Sequence, residues 1–335
     1  MSTQGSPTDH DASLGGGHAG RLVVGVDDSA GSLAALQWAL AEAQLRGAGV
    51  HLVMAWRHPA SYGGSSVWTM MMDRVGTNRQ SMADAAGAEV ARLGRKAGIE
   101  AGEGERATIT WEAVEGHPAA VLLRAAEGAG ALVVGRRGHG GFPGVLLGSV
   151  SQQILAHARC PVVLVPGTDR EGVDAAATPS THRGGRVVVG VDGSAGSKAA
   201  LKWALSQAQM SGSSVDALIA WERAKGPGAT NGWAVGTGGP SDDKEPIESI
   251  AKAELVRIAE QAARGSRVKI SCRAVEGHPA QVLVEDAADA NVLVVGARGH
   301  AGFVGAVLGS VSQHVVAHAR CPVAFIPEPV IARGF

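Results

Sequence analysis

The chain has 335 residues, enough for two domains of ordinary size, and its 45% hydrophobic and 18% charged residues supply buried cores and exclude wholesale disorder. A formal net charge of −1 lacks the positive field that a general nucleic-acid or acidic-membrane binder needs, and aromatics at 4% are too sparse for a base-stacking platform. No apolar run approaches the ~18 residues that span a bilayer, and three cysteines (Cys160, Cys272 and Cys321) make no disulfide framework, so the expectation is a reduced, cytoplasmic protein.

Residues 1–20 read as a disordered tail with neither the cationic start nor the apolar stretch of a signal peptide. Gly15, Gly17 and Gly20 in that tail satisfy G-x-G-x-x-G, but they precede the first strand, where the pattern carries no dinucleotide meaning. "RLVVGV" from Arg21 is a β-branched run suited to a strand buried on both faces. "SAGSLAALQWALAEAQLRG" follows as a helix, with Leu36, Leu40 and Ala43 at helical spacing, Ser29 as N-cap and Gly47 as its stop. "VHLVMAW" is the second strand. A long loop leads to a helix ending near "EVARLGRKAG", and "ATITWEAV" is the third strand. "PAAVLLRAAEGAG" is helical, "ALVVG" a strand, "VSQQILAHA" a helix, and "PVVLVP" the closing strand.

The same order then repeats. "RVVVGVDGSAGSKAALKWALSQAQ" from Arg186 matches the opening at an offset of 165, while "AVEGHPAQVLVEDAADANVLVVGARGH" and "VAHARCPVAFIP" match the later segments at 161. A period this long is a duplicated domain. The expected organisation is a first domain at 21–166, a flexible small-residue linker at 167–185, a second domain at 186–327 and a tail at 328–335. Alternating strands and helices with right-handed crossovers make the fold class α/β: two tandem doubly wound domains, each with a five-stranded parallel sheet flanked by helices.

Ligands of such sheets bind at the carboxyl ends of the strands, where strand order reverses. There the chain carries G-x2-G-x9-G-S twice: Gly135, Gly138, Gly148 and Ser149, then Gly296, Gly299, Gly309 and Ser310. Glycines let a backbone approach a ligand, successive amides form an anion nest, and a helix opening at the serine adds the positive end of its dipole. The segment points to a polyanion rather than to a tight strand–helix connection alone. No lysine precedes either serine, so it is not the Walker-type phosphate loop.

With these motifs, and with "VGVDDS"/"VGVDGS" opening and "ARCPVVLVP"/"ARCPVAFIP" closing the copies, the chain resembles the ATP-binding branch of the universal stress protein family, from Arg21 to about Pro327. The resemblance implies an adenine-nucleotide α-hydrolase-like fold and one ATP per domain, with Mg²⁺ or Mn²⁺ carried on the phosphates. Asp27 and Asp192 would lie by the adenosine with Gly25 and Gly190 nearby, and Ala55 and Ala220 would meet adenine through their backbone. Gly135, Arg136, Arg137, Gly138, His139, Gly140 and Gly141 would wrap ribose and phosphates, as would Gly296, Ala297, Arg298, Gly299, His300, Ala301 and Gly302. Gly148, Ser149 and Val150, with Gly309, Ser310 and Val311, would hold the phosphate tail. Asp28 and Arg136 stand where the second copy has Gly193 and Ala297, which makes the first site the more charged.

Other readings stand beside these. Arg137 and Arg298 either neutralise phosphate or stay solvated. Asp27 and Asp192 contact ligand or support helix caps. "EGHP" at Glu115–Pro118 and Glu276–Pro279 starts helices. His157 with Cys160, and His318 with Cys321, read as helix ends before buried strands rather than catalytic pairs. The long loops after the second strand of each copy read as lids, partner surfaces or simple disorder, and Trp68, Met70, Met71 and Met72 make the first the better candidate for a contact. Beyond His139 and His300 there is no acid–base pair at the phosphate end, so turnover is expected to be weak or absent, and no catalytic or metal-ligating residue is assigned. The resulting expectation is an ATP-binding regulator of the stress response, paired internally and as a homo-oligomer, with an unidentified protein partner. A slow ATPase and a nucleotide-independent scaffold are the alternatives.

Overall fold

The computed structural model describes residues 20–57, 79–100, 108–138, 147–167, 184–222, 244–297 and 309–328. In the first half, β1 (Leu22–Gly25), α1 (Ala30–Arg46), β2 (Val50–Trp56), α2 (Arg79–Glu100) and β3 (Ile109–Glu115) come first. They are followed by α3 (Pro118–Ala125), β4 (Ala131–Gly135), α4 (Ser149–His157) and β5 (Val162–Val165). The second half repeats the order as β6 (Arg186–Gly190), α5 (Ala195–Ser211), β7 (Ser214–Trp221), α6 (Lys244–Ala262) and β8 (Ile270–Glu276). It closes with α7 (Pro279–Asp286), β9 (Val292–Gly296), α8 (Ser310–His318) and β10 (Val323–Ile326).

Within each half the strands are parallel, in the order β3-β2-β1-β4-β5 and its counterpart β8-β7-β6-β9-β10. Strand order therefore reverses between β1 and β4, and between β6 and β9. The internal pairing expected from the resemblance takes a specific form. β5 and β10 lie side by side and antiparallel, with Ala324 opposite Val163, and join both halves into one ten-stranded sheet.

The strands are short apolar runs because both faces are covered. Leu22 and Val24 enter one core with α1, α2, α5 and α6, while Val23 enters the other with α3, α4, α7 and α8. Each core runs across the junction: Trp38 shares the first with Leu201, and Leu164 shares the second with Phe325. Local signals set the helix ends. Ser29 caps α1 by accepting from the Ser32 amide at 3.2 Å, and Gly47 ends it in the left-handed region at φ 60°. Pro118 and Pro279 occupy the first helical positions of α3 and α7 after His117 and His278, as "EGHP" suggests. No helix among the described residues is long and apolar enough to cross a membrane.

Candidate functional site

The crevice between the carboxyl ends of β1 and β4 is built by backbone meeting backbone. A Cβ on Gly135 would lie 2.6 Å from the Gly31 carbonyl carbon and 2.9 Å from the Ser32 nitrogen, and one on Gly31 would lie 2.5 Å from the Arg137 carbonyl oxygen. The first turn of α1 is thereby pressed against the end of β4. Gly296 and Gly196 repeat the approach, at 2.8 Å from the added Cβ to the Gly196 carbonyl carbon. Gly135 and Gly296 thus have a steric reason to be glycine, beside any ligand. The sequence reading missed Gly31, Ser32, Gly196 and Ser197, although "SAGS" recurs at Ser29 and Ser194 and carried that signal.

Asp27, two residues after β1, organises the turn into α1. Its Oδ1 accepts from the Ser29 amide at 3.1 Å and the Ser29 hydroxyl at 2.6 Å, and its amide donates to Ser32 Oγ at 3.3 Å. Its Oδ2 lies where a Cβ on Gly138 would stand, so the carboxylate borders the glycine loop directly. Asp192 holds the Ser194 amide at 3.0 Å in the same way. Support of the helix cap is therefore one role of both aspartates.

At the far side of the crevice the cap of α4 is Gly148, with Ser149 as its first helical residue and no side-chain cap bond; Gly309 and Ser310 begin α8 likewise. The serines do not cap. They present exposed hydroxyls beside first-turn amides, which have no intrahelical acceptor. The loop is tied back below them: the Gly148 amide donates to the Arg136 carbonyl at 3.1 Å, and Ser151 Oγ to the Gly135 carbonyl at 3.1 Å. Ser312 Oγ repeats this with the Gly296 carbonyl at 3.2 Å.

The two extra charges of the first half are engaged elsewhere, which corrects the expectation that they enrich its site. Arg136 turns its guanidinium into the seam between the halves, where Nη1 donates to the Val316 and Ala319 carbonyls at 3.1 and 2.8 Å. Asp28 adopts φ 62° where Gly193 has φ 83°, a left-handed position that Asp tolerates better than most residues, and its Oδ1 meets Arg92 Nη2 at 3.0 Å. Gly25 and Gly190 also have a packing reason: a Cβ on either would lie 2.8 Å from a methyl of Leu122 or Leu283 respectively. Ala55 and Ala220 sit one residue before the ends of β2 and β7, in register with Val114 and Val275. His139, Gly140, Gly141, Arg298, Gly299, His300, Ala301 and Gly302 lie outside the described residues, as do the loops carrying Trp68, Met70, Met71, Met72 and Trp233.

Fit to an anion can be judged from what remains. Arg137 Nε is buried with no hydrogen-bond acceptor among the described residues, and the Arg137 backbone passes between Gly31 and Gly148. A buried donor of that kind calls for an acceptor, and a phosphate oxygen supplies one with charge. The donor set suits a polyanion.

Burial disfavours the thiolate at Cys160 and Cys321. Burial raises the Cys160 thiol above its ordinary value and pushes the Cys321 thiol up to about 12. His157 Nδ1 faces the Gln153 carbonyl at 2.9 Å. Since the thiolate is the reactive form, Cys321 should react with iodoacetamide at neutral pH at least ~100-fold more slowly in the folded protein than after denaturation, and Cys160 should also be slowed. Labelling followed by peptide mass spectrometry reads this directly, and prompt modification of either cysteine in the folded chain would refute it.

Comparison with known proteins agrees with the architecture. The universal stress protein family model matches residues 19–166 and again 185–327. A universal stress protein of Mycobacterium tuberculosis is 31% identical over 310 residues, covering 90% of this chain and 94% of that protein. One of Mycolicibacterium smegmatis is 32% identical over 310 residues, at 90% and 95% coverage. The crystal structure of a universal stress protein from Archaeoglobus fulgidus superposes with a TM-score of 0.62 at 19% identity, covering 92% of this chain and 97% of that one, and so supports the fold. With both halves matched by the family model and relatives aligned across nine-tenths of its length, the chain belongs to the universal stress protein family.

Proposed function

We propose that each half binds one ATP in the crevice at the reversal of strand order, and that nucleotide occupancy sets the conformation or partner surface through which the protein acts in the stress response. The observation that carries this reading is the convergence, in one crevice, of the Asp27 carboxylate beside Gly138, the Arg137 backbone beside Gly31 and the open first turn of α4. Bound ATP would supply a chain of phosphate charge and a divalent cation carried on it. Among the described residues no three His, Cys, Asp or Glu side chains are grouped to hold a metal, so the cation rides on phosphate oxygens in this reading.

The chain's own groups have separate tasks. Ser149 and Val150 offer amides, and Ser149 a hydroxyl, to the terminal phosphates, where the helix dipole favours negative charge. Arg137 neutralises an inner phosphate. Asp27 borders the ribose, and the Ala55 backbone meets the base. Ser310, Val311, Asp192 and Ala220 do the same in the second half. Nothing in this set positions a water for attack on phosphate, so the nucleotide is held rather than turned over.

The test is to denature the purified protein and identify and count what it releases. About two ATP per chain is expected, since a tight ligand of the native state leaves only on unfolding. Predominant ADP would move the reading to slow hydrolysis. No nucleotide, with no uptake on adding Mg-ATP, would overturn it in favour of a nucleotide-independent scaffold.

A further inference from the structure

The two halves differ at one position of the glycine loop in a way that joins the two sites. Arg136 is 8% exposed, and its guanidinium donates to the carbonyls of Val316 and Ala319. Those carbonyls close the last turn of α8, where C=O groups lack intrahelical partners and a cation is favoured. The carbonyl of the same Arg136 accepts from Gly148, the N-cap of α4. One residue therefore grips the start of α4 through its backbone and the end of α8 through its side chain.

The other end of α8 is Ser310, at the phosphate end of the second site. Nine residues at 1.5 Å each make that helix a rod of about 13 Å between the two places. The geometry depends on the antiparallel β5–β10 junction, which brings the end of α8 to the sheet edge where the first half's strands finish. Ala297 cannot build the reverse connection. Ala297 occupies the position of Arg136, and its methyl group has no donor for the Leu155 and Ala158 carbonyls that end α4.

We infer that Arg136 is a one-sided strut that couples occupancy of the first nucleotide site to the second through α8. The inference rests on the nucleotide reading above. A ligand held by the open first turn of α4 fixes Gly148, through the Gly148 amide the Arg136 backbone, and through the Arg136 guanidinium the C-terminal turn of α8. Linkage makes the coupling reciprocal in affinity, although a single side chain carries it.

The experiment isolates the first site with Gly309→Glu, which places a carboxylate where the second site's phosphates would lie, and uses Mg-ATP as probe with the full chain. Released nucleotide should fall from two per chain to one. In that background, Mg-ATP should slow amide hydrogen exchange over residues 314–319 by about fivefold or more, the lower end of ordinary site coupling. Adding Arg136→Ala should leave one nucleotide bound and reduce the change to less than about twofold. Should that variant fail to fold, Arg136→Met keeps the stem, removes the donors and is read identically. An undiminished response in the Arg136 variant, or no response at α8 in the Gly309→Glu parent with its nucleotide bound, overturns the coupling alone. Wild-type protein that takes up no Mg-ATP overturns the nucleotide reading, and the coupling with it.

Discussion

Gly135→Ala should destabilise the protein by about 3 kcal/mol, at the upper end of ordinary overpacking, in a nucleotide-free urea titration. The added methyl would lie 2.6 Å from the Gly31 carbonyl carbon, 2.8 Å from its oxygen and 2.9 Å from the Ser32 nitrogen. All three are backbone atoms, so no rotamer change relieves the clash; α1 must move away from β4 or the strand must shift. Either movement disturbs contacts of a fully buried face that includes Ala35 and Ala39. Gly296→Ala should cost somewhat less, because its closest approaches are 2.8 and 3.0 Å.

Gly148→Ala is the control within the same signature. Gly148 has φ −67° and ψ 150°, open to any residue, and the nearest atom to an added Cβ is 3.5 Å away. Its cost should stay below about 1 kcal/mol, the loss expected when Ala replaces a better N-cap. Equal costs at the two positions would show that the close approach of β4 and α1 does not constrain the fold. Gly135→Ala within about 0.5 kcal/mol of wild type, the range of ordinary surface changes, would refute it outright.

That contrast shows how far the sequence could be read. The alternation of apolar runs with helical periods, the caps at Ser29 and Gly47, and the helix starts at Pro118 and Pro279 are local signals with local causes, and each lies where expected. The duplication was visible as a repeat of 165 and 161 residues. The glycine signature lies, as read, at the carboxyl end of β4, but it merges two causes: Gly135 yields to the Gly31 backbone, while Gly148 opens a helix. A one-dimensional spacing cannot separate these, because the partner of Gly135 lies about a hundred residues away in α1.

The residue whose side chain departs from expectation is Arg136, which reads together with its neighbours as part of a phosphate loop. Its direction is set by the antiparallel β5–β10 junction, and no property of either half alone specifies that pairing. The same limit applies to α1 and α5, whose sequences align at an offset of 165 with Glu42 opposite Gln207 and Arg46 opposite Ser211. Those differences look like surface variation until the halves meet.

Once they meet, Glu42 is completely buried and Arg46 nearly so, and the two form an ion pair. Gln207 from the other half completes it, donating to Glu42 Oε2 at 2.6 Å and accepting from Arg46 Nη2 at 2.8 Å, while Arg46 lies 5.6 Å from the centroid of the Trp203 ring. Breaking a buried pair by removing one partner strands the other charge, so Glu42→Leu should cost about 3–5 kcal/mol. Replacing the group together, as Glu42→Leu with Arg46→Met and Gln207→Leu, removes the three polar side chains that bond one another, at similar volume. The triple variant should return to within about 1 kcal/mol of wild type, since such exchanges are often neutral or stabilising. Urea titrations of the single and triple variants check both values. A single variant costing under about 1 kcal/mol would mean that water reaches the pair and screens it. A triple variant no better than the single one would mean that the cluster is needed to join the halves and is not simply an internally balanced charge. The expected non-additivity implies that the junction tolerates an apolar seam, and that the charges serve to pair a Glu-bearing α1 with a Gln-bearing α5. Two Glu-bearing helices related by the same pseudo-symmetry would bury like charges against each other.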